Sequence, residues 1–220
     1  MDFYKIKVER QKDKTIIFPD WINRRSNDLM VRGKDFYAIW DEENGMWSTD
    51  AYRVQTLIDK ELAEYSNEFK TYDDSKLYVK YLESHSTKSW IDFENYISHI
   101  PDSYQQLDQQ LTFADTVVKK EDYVSKRLTY SLVDGECKAW DEMVGTLYSE
   151  TERAKIEWAI GAIVSGDSKK IQKFLVFFGE AGTGKSTILN IIQELFKGYY
   201  TAFEAKALTS NNNIFSIIKK

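Results

Sequence analysis

Apolar and polar positions divide this chain into a few well-marked stretches. Residues 35–40 (DFYAIW) are aromatic and apolar, the composition of a strand. Asp41-Glu42-Glu43-Asn44-Gly45 follows, then Met46-Trp47-Ser48-Thr49. An Asn-Gly pair between two such runs tolerates positive φ and predicts a β-hairpin. Thr49 or Asp50 then stands at a helix N-cap position, ahead of a face made by Val54, Leu57, Ile58, Leu62 and Tyr65. Residues 70–100 keep helical spacing until Pro101 ends the run. Two stretches, 111–118 (LTFADTVV) and 127–132, read as strands. Ser149-Glu150-Thr151-Glu152 has the form of a capping box and opens a helix lined by Ile156, Ile160, Ile163 and Val164, with Gly166 at its stop.

The most informative pattern begins at Lys173. Phe174-Leu175-Val176-Phe177-Phe178 is a continuous apolar run, as in a strand buried on both faces of a parallel sheet. It leads directly into Gly179-Glu180-Ala181-Gly182-Thr183-Gly184-Lys185-Ser186, which is G-x-x-x-x-G-K-[ST], the Walker A pattern. A helix from Thr187 to Lys197 follows, carrying Ile188, Leu189, Ile191, Ile192, Leu195 and Phe196, and Gly198 closes it. The chemistry asks for this order. Glycines at 179, 182 and 184 let successive backbone N–H groups turn toward one phosphate, and the helix start adds its unpaired N–H groups and positive dipole end. Lys185 supplies a point charge to the β- and γ-phosphates of ATP, and the Ser186 hydroxyl is a ligand for Mg²⁺.

A nucleotide hydrolase of this kind also needs a carboxylate at the end of a second strand. The 34 residues after Ser186 contain no Asp, and their only acids are Glu194 and Glu204. Residues 36–42 imitate such a strand and acid, but Asn44-Gly45 and Trp47 make that segment a hairpin. No catalytic residue is assigned. On this reading the chain stops inside its nucleotide-binding domain.

Composition changes the picture in three ways. At 220 residues, 42% hydrophobic and 30% charged, the chain can form one large domain or two small ones around real cores. Only 2 Pro and 10 Gly exclude collagen-like or Pro-rich architecture and favour long helices. A single cysteine, Cys137, rules out an internal disulfide, and with His85 and His99 it makes no zinc ligand set. No stretch nears the roughly 18 apolar residues of a membrane span, and residues 1–14 lack a signal-peptide core. These features place the protein in a reducing cytoplasm. The net charge of −5 is unevenly spread, because residues 1–34 carry +4 and the remainder −9. Arg24, Arg25, Arg32 and Lys34 belong to that basic segment, a mild pointer to a polyanion such as DNA. Tyr72, Tyr78, Tyr81, Trp90, Phe93 and Tyr96 could stack bases, but their spacing favours helical core.

The C-terminal half resembles the superfamily 3 helicase region of phage and plasmid primase-helicases, related to the poxvirus primase-helicase. The resemblance rests on residues 122–132 (DYVSKRLTYSL), 152–200 and 202–215 (AFEAKALTSNNNIF), and more loosely on 27–40. It implies an ATPase that assembles as a homo-oligomeric ring on single-stranded or forked DNA and unwinds it by hydrolysing ATP with Mg²⁺, in a bacterial host's cytoplasm if phage-encoded. Carried onto matching positions, Gly179, Gly182, Thr183, Gly184, Lys185, Ser186 and Thr187 would form the phosphate site. The family's later motifs have no counterpart here.

The expected fold is α+β: a mostly helical N-terminal part with a β-hairpin, then the start of a P-loop, AAA+-like α/β ATPase domain. The expected boundaries are a basic segment at 1–34, a hairpin plus helical or mixed module at 35–148, and an incomplete ATPase domain at 149–220. The competing reading is a non-enzymatic module that binds DNA or a replication partner and keeps a vestigial P-loop.

Overall fold

The computed structural model describes residues 1–22, 24–33, 35–69, 76–83 and 87–202. The fold is α+β, and the chain divides into two compact units. Unit 1 comprises Met1–Gln109 with Val117–Ser125, and unit 2 comprises Gln110–Thr116 with the chain from Lys126 onward.

Unit 1 runs β1 (Tyr4–Gln11), β2 (Lys14–Trp21), β3 (Leu29–Arg32), β4 (Phe36–Asp41), β5 (Met46–Ser48), α1 (Ala51–Glu68), β6 (Lys76–Val79) and α2 (Lys88–His99). Strands β1 and β2 form an antiparallel hairpin in register from Tyr4↔Trp21 to Gln11↔Lys14, and β6 adds to β2 in parallel. The second sheet has the order β3-β4-β5, all antiparallel. The predicted hairpin is its β4–β5 pair, with Gly45 at φ +61° as the Asn-Gly signal requires. Asp50 is the cap of α1 and accepts the Tyr52 N–H at 3.0 Å. Val54, Leu57, Ile58 and Leu62 of the predicted face are buried.

Alternation along β3 and β4 places side chains in two cores. Leu29, Val31 and Ile39 join Phe3, Ile17, Ile58, Leu82 and Phe93 in the main one. Met30 and Ala38 join Trp47 in a smaller cluster, against which Trp40 and Tyr123 pack. Trp90, Phe93 and Tyr96 are core residues, as their helical spacing predicted; Tyr78 instead lies on β6 and is exposed, Tyr81 packs on the core from outside any helix, and Tyr72 lies outside the described residues.

Two expectations for this part are corrected. The N-terminal part is not mostly helical: the described residues hold six strands, and the basic segment supplies three of them. Residues 70–100 are not one helical run either, since β6 precedes α2. Helix α2 does end ahead of Pro101, as its missing N–H and its clash with the preceding residue dictate.

Unit 2 holds α3 (Lys138–Leu147), α4 (Glu150–Val164), the single turn α5 (Ser168–Ile171) and α6 (Lys185–Leu195). The capping box is present: Ser149 Oγ accepts the Glu152 N–H at 3.4 Å, and Glu152 Oε2 accepts the Ser149 N–H at 2.9 Å. Gly166 stands after the helix at φ +75°. A small core of Val144, Ile156 and Ile188 joins α3, α4 and α6, with Trp140, Ile160, Phe177 and Ile192 packed around it.

Unit 2 has no sheet among its described residues, so the strands expected of an α/β domain start are not seen. Segments 111–118 and 127–132 share two backbone hydrogen bonds, Leu128 N–H to Thr112 O at 2.8 Å and Ala114 N–H to Tyr130 O at 3.0 Å, which is short of a ladder. Residues 174–178 are not a strand. An apolar run becomes one only beside a partner that takes its N–H and C=O groups. Among the described residues, none does so for 174–178.

Candidate functional site

The candidate site lies within unit 2, where Gly179–Gly184 lead into α6. Gly179, Gly182 and Gly184 have φ of +153°, +82° and +77°, a conformation that side chains with a Cβ rarely adopt. The glycine spacing of the motif is therefore a backbone requirement. Gly184 is also the N-cap of α6, and no side chain caps that helix. The first N–H groups of α6 have no acceptor within the helix by geometry, so its N-terminus offers donors and a positive dipole end.

Lys185 folds back over the loop it follows. Its Nζ donates to Gly179 O at 2.9 Å, to Glu180 O at 2.5 Å and to Thr183 Oγ1 at 3.0 Å. The Thr183 hydroxyl in turn donates to Glu180 O at 3.0 Å. The loop is thus wound around one ammonium whose partners are two neutral carbonyls and a hydroxyl. Ser186 and Thr187 are exposed at the first turn of α6. All seven residues predicted for the site fall on this loop and turn.

The donor set fits phosphate, since it combines a cation, the N–H groups of a helix start and exposed hydroxyls, with no carboxylate of the described residues paired with the ammonium. For Mg²⁺ the fit is that of a shared ligand. Among the described residues no group of three or more His, Cys, Asp or Glu could hold a metal, so Ser186 would contribute one oxygen beside those of phosphate and water.

Support for the loop comes from residues that the motif does not mention. Leu147, at the end of α3, lies against Gly184. Tyr199 OH donates to Lys126 O at 2.5 Å and accepts the Thr112 N–H at 3.3 Å, while Tyr130 OH donates to Leu195 O. These two phenols fasten the C-terminal end of α6. Nothing in the spacing announces them, because their partners are backbone groups 65 to 87 residues away.

The strand-and-acid imitation at 36–42 is structural. Asp41 takes both Arg53 Nε at 2.6 Å and Arg53 Nη2 at 3.0 Å, which ties β4 to α1 in unit 1. Glu204, Asp73, Asp74, His85 and Lys34 lie outside the described residues. No helix among the described residues is long and apolar enough to cross a membrane. No family model, curated protein or solved structure matches this chain.

Proposed function

We propose that residues 179–187 bind the phosphates of ATP together with Mg²⁺, and that the chain works in a DNA-unwinding ATPase of the primase-helicase kind, assembled as a homo-oligomeric ring. The observation that carries phosphate binding is the fold-back of Lys185 onto Gly179 O and Glu180 O. An ammonium held by neutral acceptors gains by exchanging them for phosphate oxygens, because an anionic acceptor adds charge–charge attraction to the hydrogen bond. The uncapped start of α6 supplies the N–H groups that would share the same phosphate. Thr183, freed from Lys185, keeps its bond to Glu180 O and holds the loop closed. Mg²⁺, when bound, would offset the charge of the phosphates, and the exposed Ser186 hydroxyl would contribute a ligand to it.

The helicase part of the reading rests on the resemblance over 122–132, 152–200 and 202–215. Calorimetric titration of ATP and ADP, with and without Mg²⁺, tests the site. Lys185→Ala is expected to abolish measurable binding, and Ser186→Ala to remove only the part that depends on Mg²⁺. Unchanged affinity in Lys185→Ala would sink the assignment. These 220 residues alone are expected to hydrolyse ATP at background rate, since no Asp follows Ser186. Strand separation of forked DNA that depends on ATP tests the helicase part. An assembled protein whose hydrolysis ignores DNA would remove it.

A further inference from the structure

Unit 1 carries exposed guanidinium groups that no carboxylate among the described residues neutralises. Arg24, Arg25 and Arg32 are exposed, and none of them makes an ion pair among the described residues. Three carboxylates bonded to residues 26–33 and 120 are already engaged. Asp2 accepts Ser26 Oγ and the Asn27 N–H, Asp28 is paired with Lys120, and Asp102 accepts the Gly33 N–H at 2.9 Å. Arg24, Arg25 and Arg32 belong to the basic first segment.

Aromatic rings accompany these cations. The Arg25 guanidinium lies 4.9 Å from the centre of the Tyr104 ring, yet Tyr104 remains 82% exposed. A tyrosine covered on one side by a guanidinium and otherwise open to water is an unfilled stacking surface. Arg32 stands 5.8 Å from the Phe36 ring and donates from Nη2 to Gln105 O at 2.8 Å. Residues 103–105 are held against β3, since Ser103 N–H donates to Val31 O at 2.7 Å. Both cation–ring pairs are thus fixed to the same strand.

A cleft of about 390 Å³ opens beside them. Its walls include the amides of Asn27 and Gln105, the hydroxyl of Ser103 and the ring of Tyr123, which stacks on buried Trp47 at 5.7 Å. Glu121 and Lys120 also line it, and the Lys120 ammonium is paired with Asp28. A carboxylate there disfavours a phosphate in the cleft and favours the amino group of a base.

We propose that this surface of unit 1 binds single-stranded nucleic acid. Arg24, Arg25 and Arg32 follow the phosphates, Tyr104 stacks one base, and an adjacent base enters the cleft between Asn27, Gln105 and Tyr123. Unpaired arginines alone would suit any polyanion. The open ring beside a polar cleft selects a strand whose bases are free to leave their own stack, which a duplex does not offer. The site is independent of the loop around Lys185, so either assignment can fail without the other.

The test is fluorescence anisotropy of a labelled oligodeoxycytidylate of about 20 nucleotides with the full chain, alongside an oligocytidylate and a duplex of equal length. The single strands are expected to bind more tightly than the duplex, and the two single-strand arms tell DNA from RNA. Tyr104→Leu should weaken binding about tenfold, the loss of one stacked base, without changing the salt slope. Arg25→Ala with Arg32→Ala should lower the slope of log K against log salt by about 1.4, two single-strand phosphate contacts. Lys12→Ala, exposed on the turn between β1 and β2, should bind as the parent does. All these side chains are at least partly exposed, and circular dichroism verifies that each variant is folded. Duplex binding as tight as single-strand binding, or unchanged affinity in Tyr104→Leu, would overturn the proposal. Displacement by polyglutamate at equal charge concentration would likewise overturn it in favour of an acidic protein partner.

Discussion

Gly184 and Leu147 stand at the limit of contact: a Cβ built on Gly184 would lie 2.7 Å from Leu147 Cδ1 and 3.3 Å from Cδ2. The last residue of α3 therefore presses on the residue that caps α6 and closes the candidate loop. Gly184→Ala meets two costs there. A non-glycine residue at φ +77° costs about 1–2 kcal/mol. The added methyl must also displace a flexible leucine tip, about another 1 kcal/mol. In a Leu147→Ala background only the backbone cost should remain. Urea unfolding of the four proteins in this cycle should give a coupling of about 1 kcal/mol. Equal costs in both backgrounds would mean that α3 does not support the loop.

Asp41 is the second test, and it concerns unit 1. It is 1% exposed and accepts five hydrogen bonds, two from Arg53, two from Asn44 and one from the Glu43 N–H. Asp41→Ala leaves the half-buried Arg53 with Glu43 alone and should destabilise the unit by about 3 kcal/mol. Burial pushes the carboxyl's pKa up, but the bonds from Arg53 and Asn44 outweigh it and hold the group below its ordinary 3.8. A depressed acid stabilises the fold at pH above its unfolded pKa and loses that contribution as pH falls through the folded value. The gap between wild type and Asp41→Ala should therefore be constant from pH 7 to about 4 and close below it. A gap that persists at the lowest pH at which both proteins fold would refute the ion pair as the source.

Much of unit 1 was legible in its sequence because the signals were local. Asn44-Gly45 marks a turn whatever lies elsewhere, and Asp50 caps α1 through a neighbour two residues on. The first hairpin is not announced although Tyr4, Ile6 and Val8 alternate with charged residues, because Lys12-Asp13 has no glycine to mark a tight turn. Strand β6 is four residues long and pairs in parallel with β2 across some sixty positions, which no local pattern encodes. At the candidate site the motif named the loop and the start of α6 in full. Leu147 and Tyr199, which hold that loop and helix, act through packing and backbone acceptors and leave no spacing to read.

Asp59 carries the opposite pH dependence to Asp41. Its Oδ1 accepts the Leu82 N–H at 2.6 Å and so pins the segment after β6 to α1. Burial raises its carboxyl to about 6, more than the backbone bonds lower it. The folded protein therefore prefers the protonated acid. That contribution is complete below the ordinary 3.8 and is lost as pH rises through about 6. Asp59→Asn keeps an oxygen for Leu82 and has no proton to lose. Its thermal midpoint should rise relative to wild type between about pH 4 and 6.5 and run parallel above that. Parallel curves across the whole range would show that Asp59 titrates normally.

The exposed run before the loop gives the last prediction. Phe174, Val176 and Phe178 are 86%, 68% and 98% exposed, and Phe177 alone of the five reaches the core around Ile188. Among the described residues, backbone amides there have no acceptor, whereas those of α4 and α6 are held by helical bonds and by packing of Ile156 against Ile188. Local opening should therefore cost almost nothing at 174–178. Hydrogen exchange on a verified monomer should find these amides within about tenfold of the unstructured rate, and those around Ile156 and Ile188 slower by ~10²-fold or more. The same run has high β propensity, no proline and no charge between Lys173 and Glu180, the composition of an edge that recruits other chains. Protection at 174–178 should thus grow with protein concentration, and Phe178→Lys should suppress that growth while leaving α6 unchanged. Strong protection in the dilute monomer would mean that the run is paired within its own chain, and the exposed conformation described for it would be wrong.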